Sequence, residues 1–91
     1  MSSWYVYMVQ CSDASLYTGV TTDIERRIQE HNHQKEGARY TRAKRPVTLV
    51  FKESAEDRAA ACKREAQIKK MVRRQKLQLI QRYQSQCQSQ C

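Results

Sequence analysis

An α+β fold, with a small three-stranded sheet (mixed or antiparallel) flanked by about three helices, is what three features of the 91-residue sequence predict. Two runs rich in aromatic and β-branched residues, WYVYMVQ and LYTGV, are separated by turn-forming Ser12-Asp13-Ala14-Ser15. A third apolar run, Val47-Thr48-Leu49-Val50-Phe51, follows a proline. Two further segments open with capping-box patterns and continue at helical spacing.

In chain order, the first strand is expected over Trp4 to Gln10, with Trp4, Val6 and Met8 on one face and Tyr5, Tyr7 and Val9 on the other. The second, Leu16 to Val20, is one short turn away, so a hairpin sets Tyr7 and Tyr17 in one sheet. Gly19 signals a bend or the close approach of another group, read either as space for a phosphate or as a bulge or helix-packing contact. Thr22-Asp23-Ile24-Glu25 then reads as a capping box that starts a helix near Asp23. Ile24 and Ile28 form its buried stripe, while Arg27 and His31, spaced i, i+4, share a neighbouring face and can point at one ligand.

Residues 34–45 make a basic loop with Lys35, Arg39, Arg42, Lys44 and Arg45. Its charges could track a phosphodiester backbone while Tyr40 stacks on a base; a solvated loop with one packed tyrosine is the plain alternative. Pro46 lacks an amide donor and suits the start of the third strand, Val47 to Phe51, which should be central or largely buried. Ser54-Ala55-Glu56-Asp57 resembles a second capping box, giving a helix from near Ala55 to about Met71 with a face of small residues, Ala59, Cys62 and Ala66, toward the sheet. Glu65 is the single carboxylate among seven Lys or Arg residues between Lys63 and Lys76. It can hold a divalent cation near a polyanion, or simply pair with Lys69 for about 0.3–0.5 kcal/mol.

A last helix is expected over Arg73 to about Arg82, with Leu77 and Ile80 inward and Leu79 helping. Its start is weakly marked, because Val72 stands where Ser or Thr would cap better by roughly 1 kcal/mol. Beyond Tyr83 the Gln-Ser-Gln-Cys repeat reads as a disordered polar tail, so the expected organisation is a folded domain over 1–83 and a tail over 84–91.

A chain of this length holds one domain with little core to spare for a second site. Seventeen basic against nine acidic residues give a formal charge of +8, which favours a nucleic-acid partner. No apolar run approaches a membrane span and no signal peptide opens the chain, so no membrane association and a cytoplasmic location are expected. The four cysteines do not form a disulfide framework, and a zinc site from Cys87, Cys91, His31 and His33 has loose spacing.

These residues also carry a resemblance. Tyr5-Val6-Tyr7, Tyr17-Thr18-Gly19 and Arg27, ten positions after Tyr17, with Glu65 downstream, resemble the GIY-YIG nuclease superfamily. Over Trp4 to Ile80 the chain is most similar to its compact single-domain bacterial, YhbQ-like branch. The resemblance implies a GIY-YIG-like fold and a metal-dependent endonuclease that hydrolyses phosphodiester bonds in DNA, in repair or processing. It implies catalytic roles for Tyr7, Tyr17, Arg27, His31 and Glu65, with Glu65 holding a single Mg²⁺ or Mn²⁺. Arg27 would face the nonbridging oxygens, and one tyrosine would orient or deprotonate water, a task for which a phenol of pKa near 10 needs cationic neighbours.

Two positions depart from the pattern: Tyr5 stands in place of Gly, and Val20 stands where some relatives have lysine. The nucleic-acid surface would comprise Arg39, Tyr40, Arg42, Lys44, Arg45, Lys69 and Lys70, with DNA expected ahead of RNA. The alternative is a nonenzymatic nucleic-acid-binding module that uses the same basic surface. Oligomeric state is not legible.

Overall fold

The structure, a computed structural model, describes residues 3–33 and 46–89. Strand β1 (Trp4–Gln10) lies between β2 (Leu16–Thr21) and β3 (Thr48–Ala55), antiparallel to both. The central strand is therefore β1, and β3, expected to be central or largely buried, is an edge strand. Helices cover both faces of the sheet, so four consecutive β1 residues, Val6 to Val9, are buried.

The hairpin turn is held by Asp13, whose carboxylate accepts from the Ser15 amide at 3.0 Å and the Ser15 hydroxyl at 2.6 Å. Within it Ala14 has φ 70°, a left-handed conformation that costs a non-glycine residue about 1–2 kcal/mol. Arg73 donates to the Ala14 carbonyl at 2.8 Å and ties this turn to the far end of the chain.

Strand β3 runs past Phe51 to Ala55, because Lys52 to Ala55 continue the ladder opposite Trp4 to Tyr7 although their side chains carry no apolar alternation. A bulge between Met8 and Val9 leaves Val50 without a partner on β1, so Val50 and Phe51, adjacent in sequence, join one core cluster.

Helix α1 (Ile24–His33) is capped by Asp23, not by Thr22: the Asp23 carboxylate accepts from the Arg26 amide at 3.1 Å. Helix α2 (Arg58–Lys69) starts three residues after Ala55, where Asp57 caps it by accepting from the Ala60 amide at 2.8 Å. The strand ladder claims the residues that sequence assigned to its first turn.

Its inward face is also different. Ala59, Cys62 and Ala66 are exposed, and Ala61 and Ile68 are fully buried. Burying an isoleucine is worth roughly 1.5–3 kcal/mol, far more than hiding small side chains, so Ile68 sets the rotation of the helix.

Helix α3 (Arg73–Ser89) extends beyond Arg82, and the residues expected to form a tail continue it as far as Ser89. Glutamine is a good helix former, so a polar repeat lacking an apolar stripe can still prolong a helix already started. Val72 stands at its cap, where the Gln75 side chain accepts from the Val72 amide at 3.2 Å.

The sheet separates two cores. Val6, Met8, Val50, Phe51, Ala61, Ile68 and Ile80 pack beneath α2 and α3; Tyr7, Val9, Cys11 and Val47 pack beneath α1 with Ile24 and Ile28. At the end of α1, the Asn32 amide makes a two-way contact with Val47: it accepts from the Val47 amide at 2.7 Å and donates to the Val47 carbonyl at 3.1 Å. Among the described residues, no helix is long and apolar enough to cross a membrane.

Candidate active site

The site grows from the central strand. Tyr7 stands opposite Gly19 in the β1–β2 ladder, and its ring lies across the glycine backbone: a β-carbon at Gly19 would come within 2.6 Å of the phenol oxygen. The close approach at Gly19 is made neither by a helix nor at a bulge: the side chain of Tyr7, on the neighbouring strand, fills the space.

So placed, Tyr7 is only 1% exposed and its hydroxyl lies 2.8 Å from His31 Nε2. Tyr17 completes a ring cluster, with centroids 6.5 Å from Tyr7 and 5.4 Å, edge-on, from His31. His31 is fully buried. It follows Ile24 by seven positions and Ile28 by three, so it belongs to their stripe and not to a neighbouring face.

Arg27, one turn earlier, also acts on the Tyr7 phenol, so Arg27 and His31 both bear on the Tyr7 hydroxyl. A guanidinium can only donate. In the Nδ1–H tautomer of a neutral imidazole, the Tyr7 hydroxyl donates its hydrogen bond to His31 Nε2.

Glu30, which sequence did not single out, grips Arg27 at 2.9 Å and meets Arg26 at 3.8 Å. The i, i+3 spacing was its visible signal. Burial alone would pull the Arg27 guanidinium down, but its bonds to Glu30 and Tyr7 hold it above its ordinary value.

Burial pushes the Tyr7 phenol up to about 12, against the lowering influence of the Arg27 hydrogen bond and charge; Tyr17 and Glu65 push the same way as burial. Tyr7 is therefore a neutral phenol at physiological pH. A raised value stabilises the fold fully below the free phenol's pKa of about 10, and that contribution is lost as pH rises through about 12. An alkaline titration followed by phenolate absorbance should show Tyr7→Phe lacking the last step to ionise, and the stability lost between these pH values, about 2–3 kcal/mol, should shrink in the variant.

Glu65, half-buried on α2, is near enough for its charge to act on Tyr7. Its carboxylate meets Lys69 Nζ at 3.5 Å. Among the described residues, no three His, Cys, Asp or Glu side chains gather as a ready-made metal site. A lone carboxylate fits a hard cation that keeps most of its water, not a caged ion. Lys69 and Lys70 are exposed, while Arg39, Tyr40, Arg42, Lys44 and Arg45 lie outside the described residues.

Comparison with known proteins assigns the family. Residues 3–78 match the model of the GIY-YIG catalytic domain. The chain is 58% identical over 80 residues to a UPF0213 protein of Syntrophus aciditrophicus, covering 88% of this chain and 92% of the relative. It is 54% identical over 78 residues to one of Desulfotalea psychrophila, covering 86% and 71%. The solution structure of protein EF2693 from E. faecalis superposes with a TM-score of 0.63 at 42% identity, covering 92% of this chain and 88% of that one. The UPF0213 protein BH0048 from Bacillus halodurans gives 0.56 at 40%, covering 87% and 83%. With the family model and these relatives matching over most of its length, the chain belongs to the GIY-YIG nuclease family, in its small single-domain UPF0213 branch.

Proposed function

We propose that the protein is a divalent-metal-dependent endonuclease that hydrolyses phosphodiester bonds in DNA, in the cytoplasm, during repair or processing. The observation that carries this is the meeting of Tyr7, Tyr17, His31 and Arg27 within one cluster, within electrostatic reach of Glu65.

The roles follow from exposure. Tyr7, buried and neutral, is a positioning residue that fixes His31 and Arg27. Tyr17 is only half-buried, so it is the tyrosine able to meet an attacking water. Arg27 offers a permanently charged planar fork to the nonbridging oxygens of the phosphate. Glu65 would hold the Mg²⁺ or Mn²⁺ together with water and substrate oxygens. Such an ion, when bound, stabilises the negative charge of the transition state and of the departing 3′ oxygen.

A second reading, a nonenzymatic nucleic-acid-binding module, is favoured by the Glu65–Lys69 contact, the ordinary i, i+4 pairing of a surface helix. One experiment separates the two. In a plasmid-nicking assay, Mg²⁺ or Mn²⁺ should support cleavage by the wild type, and Glu65→Ala should abolish it without loss of fold. Cleavage that persists in the variant would exclude Glu65 from the site, whereas the absence of metal-stimulated cleavage with binding intact or improved would leave the binding module.

A further inference from the structure

The α2–α3 corner departs from what helix stability favours. From Lys69 to Lys76 the chain carries five basic residues, Lys69, Lys70, Arg73, Arg74 and Lys76, and no acidic one. Neither Lys70 nor Arg74 has a side-chain hydrogen bond or ion pair among the described residues. Val72, between them at the cap of α3, is 62% exposed and joins neither core. An apolar residue here gives α3 a poor cap, and the site of that loss is the centre of a cationic surface.

The corner also has a fixed address. Arg73 is bonded to the Ala14 carbonyl, three positions before Tyr17, and Lys69 is paired with Glu65. It therefore sits against the β1–β2 turn and one helical turn from Glu65.

We propose that the corner from Lys69 to Arg74 docks the backbone of duplex nucleic acid beside the scissile linkage, with Lys70 and Arg74 on phosphates and Val72 against the sugars between them. The proposal rests on the nucleic-acid reading of the site. An anionic membrane would call for a broad apolar face, and among the described residues Val72 and Leu77 are the only large apolar side chains counted as exposed. Single strands are gripped by stacking on aromatic rings, and residues 69–76 contain none.

The test is binding to a short DNA duplex in EDTA, which separates binding from cleavage, across a series of salt concentrations. Arg74→Glu should weaken binding about tenfold and flatten the salt dependence by about one phosphate contact. Val72→Ser should raise the melting midpoint by about 4–8 °C, through a better cap, and yet weaken binding severalfold. A merely structural Val72 would not move these readouts in opposite senses.

Wild-type affinity in both variants would overturn the proposal. So would binding to vesicles of phosphatidylserine in phosphatidylcholine that exceeds binding to duplex and falls in the same variants. If these variants lose duplex binding while Glu65→Ala still cleaves, the chemistry fails and the corner stands; if they bind normally while Glu65→Ala is inactive, the corner alone fails.

Discussion

Replacing Arg27 with alanine is expected to slow phosphodiester cleavage on the order of a hundredfold to a thousandfold, the loss typical when a charged donor to a transition-state oxygen is removed. The fold should survive, because Arg27 is partly exposed and its ion pair is with Glu30 on its own helix. The loss should fall mainly in kcat if Arg27 meets charge that develops in the transition state, and in KM if it only attracts the polyanion. Arg27→Lys should recover only part of the rate, since an ammonium keeps the charge but not the planar fork. Near-normal kcat in Arg27→Ala, with circular dichroism unchanged, would remove the residue from the chemistry.

The second large effect is expected from the smallest change. Gly19→Ala adds a β-carbon that would sit 2.6 Å from the Tyr7 oxygen and 2.8 Å from Cζ. Tyr7 is enclosed on the face beneath α1 and cannot swing clear without breaking its 2.8 Å contact with His31. Overpacking of this kind costs about 1–3 kcal/mol. Cleavage should drop steeply because His31 and Arg27 lose the oxygen that aligns them. A Gly19→Ala protein with wild-type melting and wild-type cleavage would show that this close approach is dispensable.

Much of the frame was legible because hairpin strands and turns announce themselves locally. The alternation in Trp4 to Gln10, the Asp13 turn and the stripe of Ile24 and Ile28 all carry period and chemistry in a few residues. Parts that depend on distant partners were not legible. Lys52 to Ala55 looks like a loop until β1 is beside it, and the position of β3 at the edge is a property of the whole sheet.

The misassigned face of α2 has a similar origin: small residues suggested close packing, but Ile68 and Ala61 met the core. In the site, the tyrosines, Arg27 and Glu65 were visible through motif spacing, whereas the burial of His31 required extending the isoleucine stripe by one step. Asn32 gave no signal at all, since its role exists only once Val47 returns to meet it.

That returning contact has a consequence for how such a protein can diversify. By fastening Val47 to the last turn of α1, Asn32 fixes the entry and exit of residues 33–46 independently of their content. Lengthening a connection between two fixed ends costs little, about 0.6 kcal/mol of closure entropy for each doubling. The Asn32–Val47 contact thus holds α1 and β3 together by itself, so that strand register and the tyrosine cluster do not depend on the length of sequence that joins them.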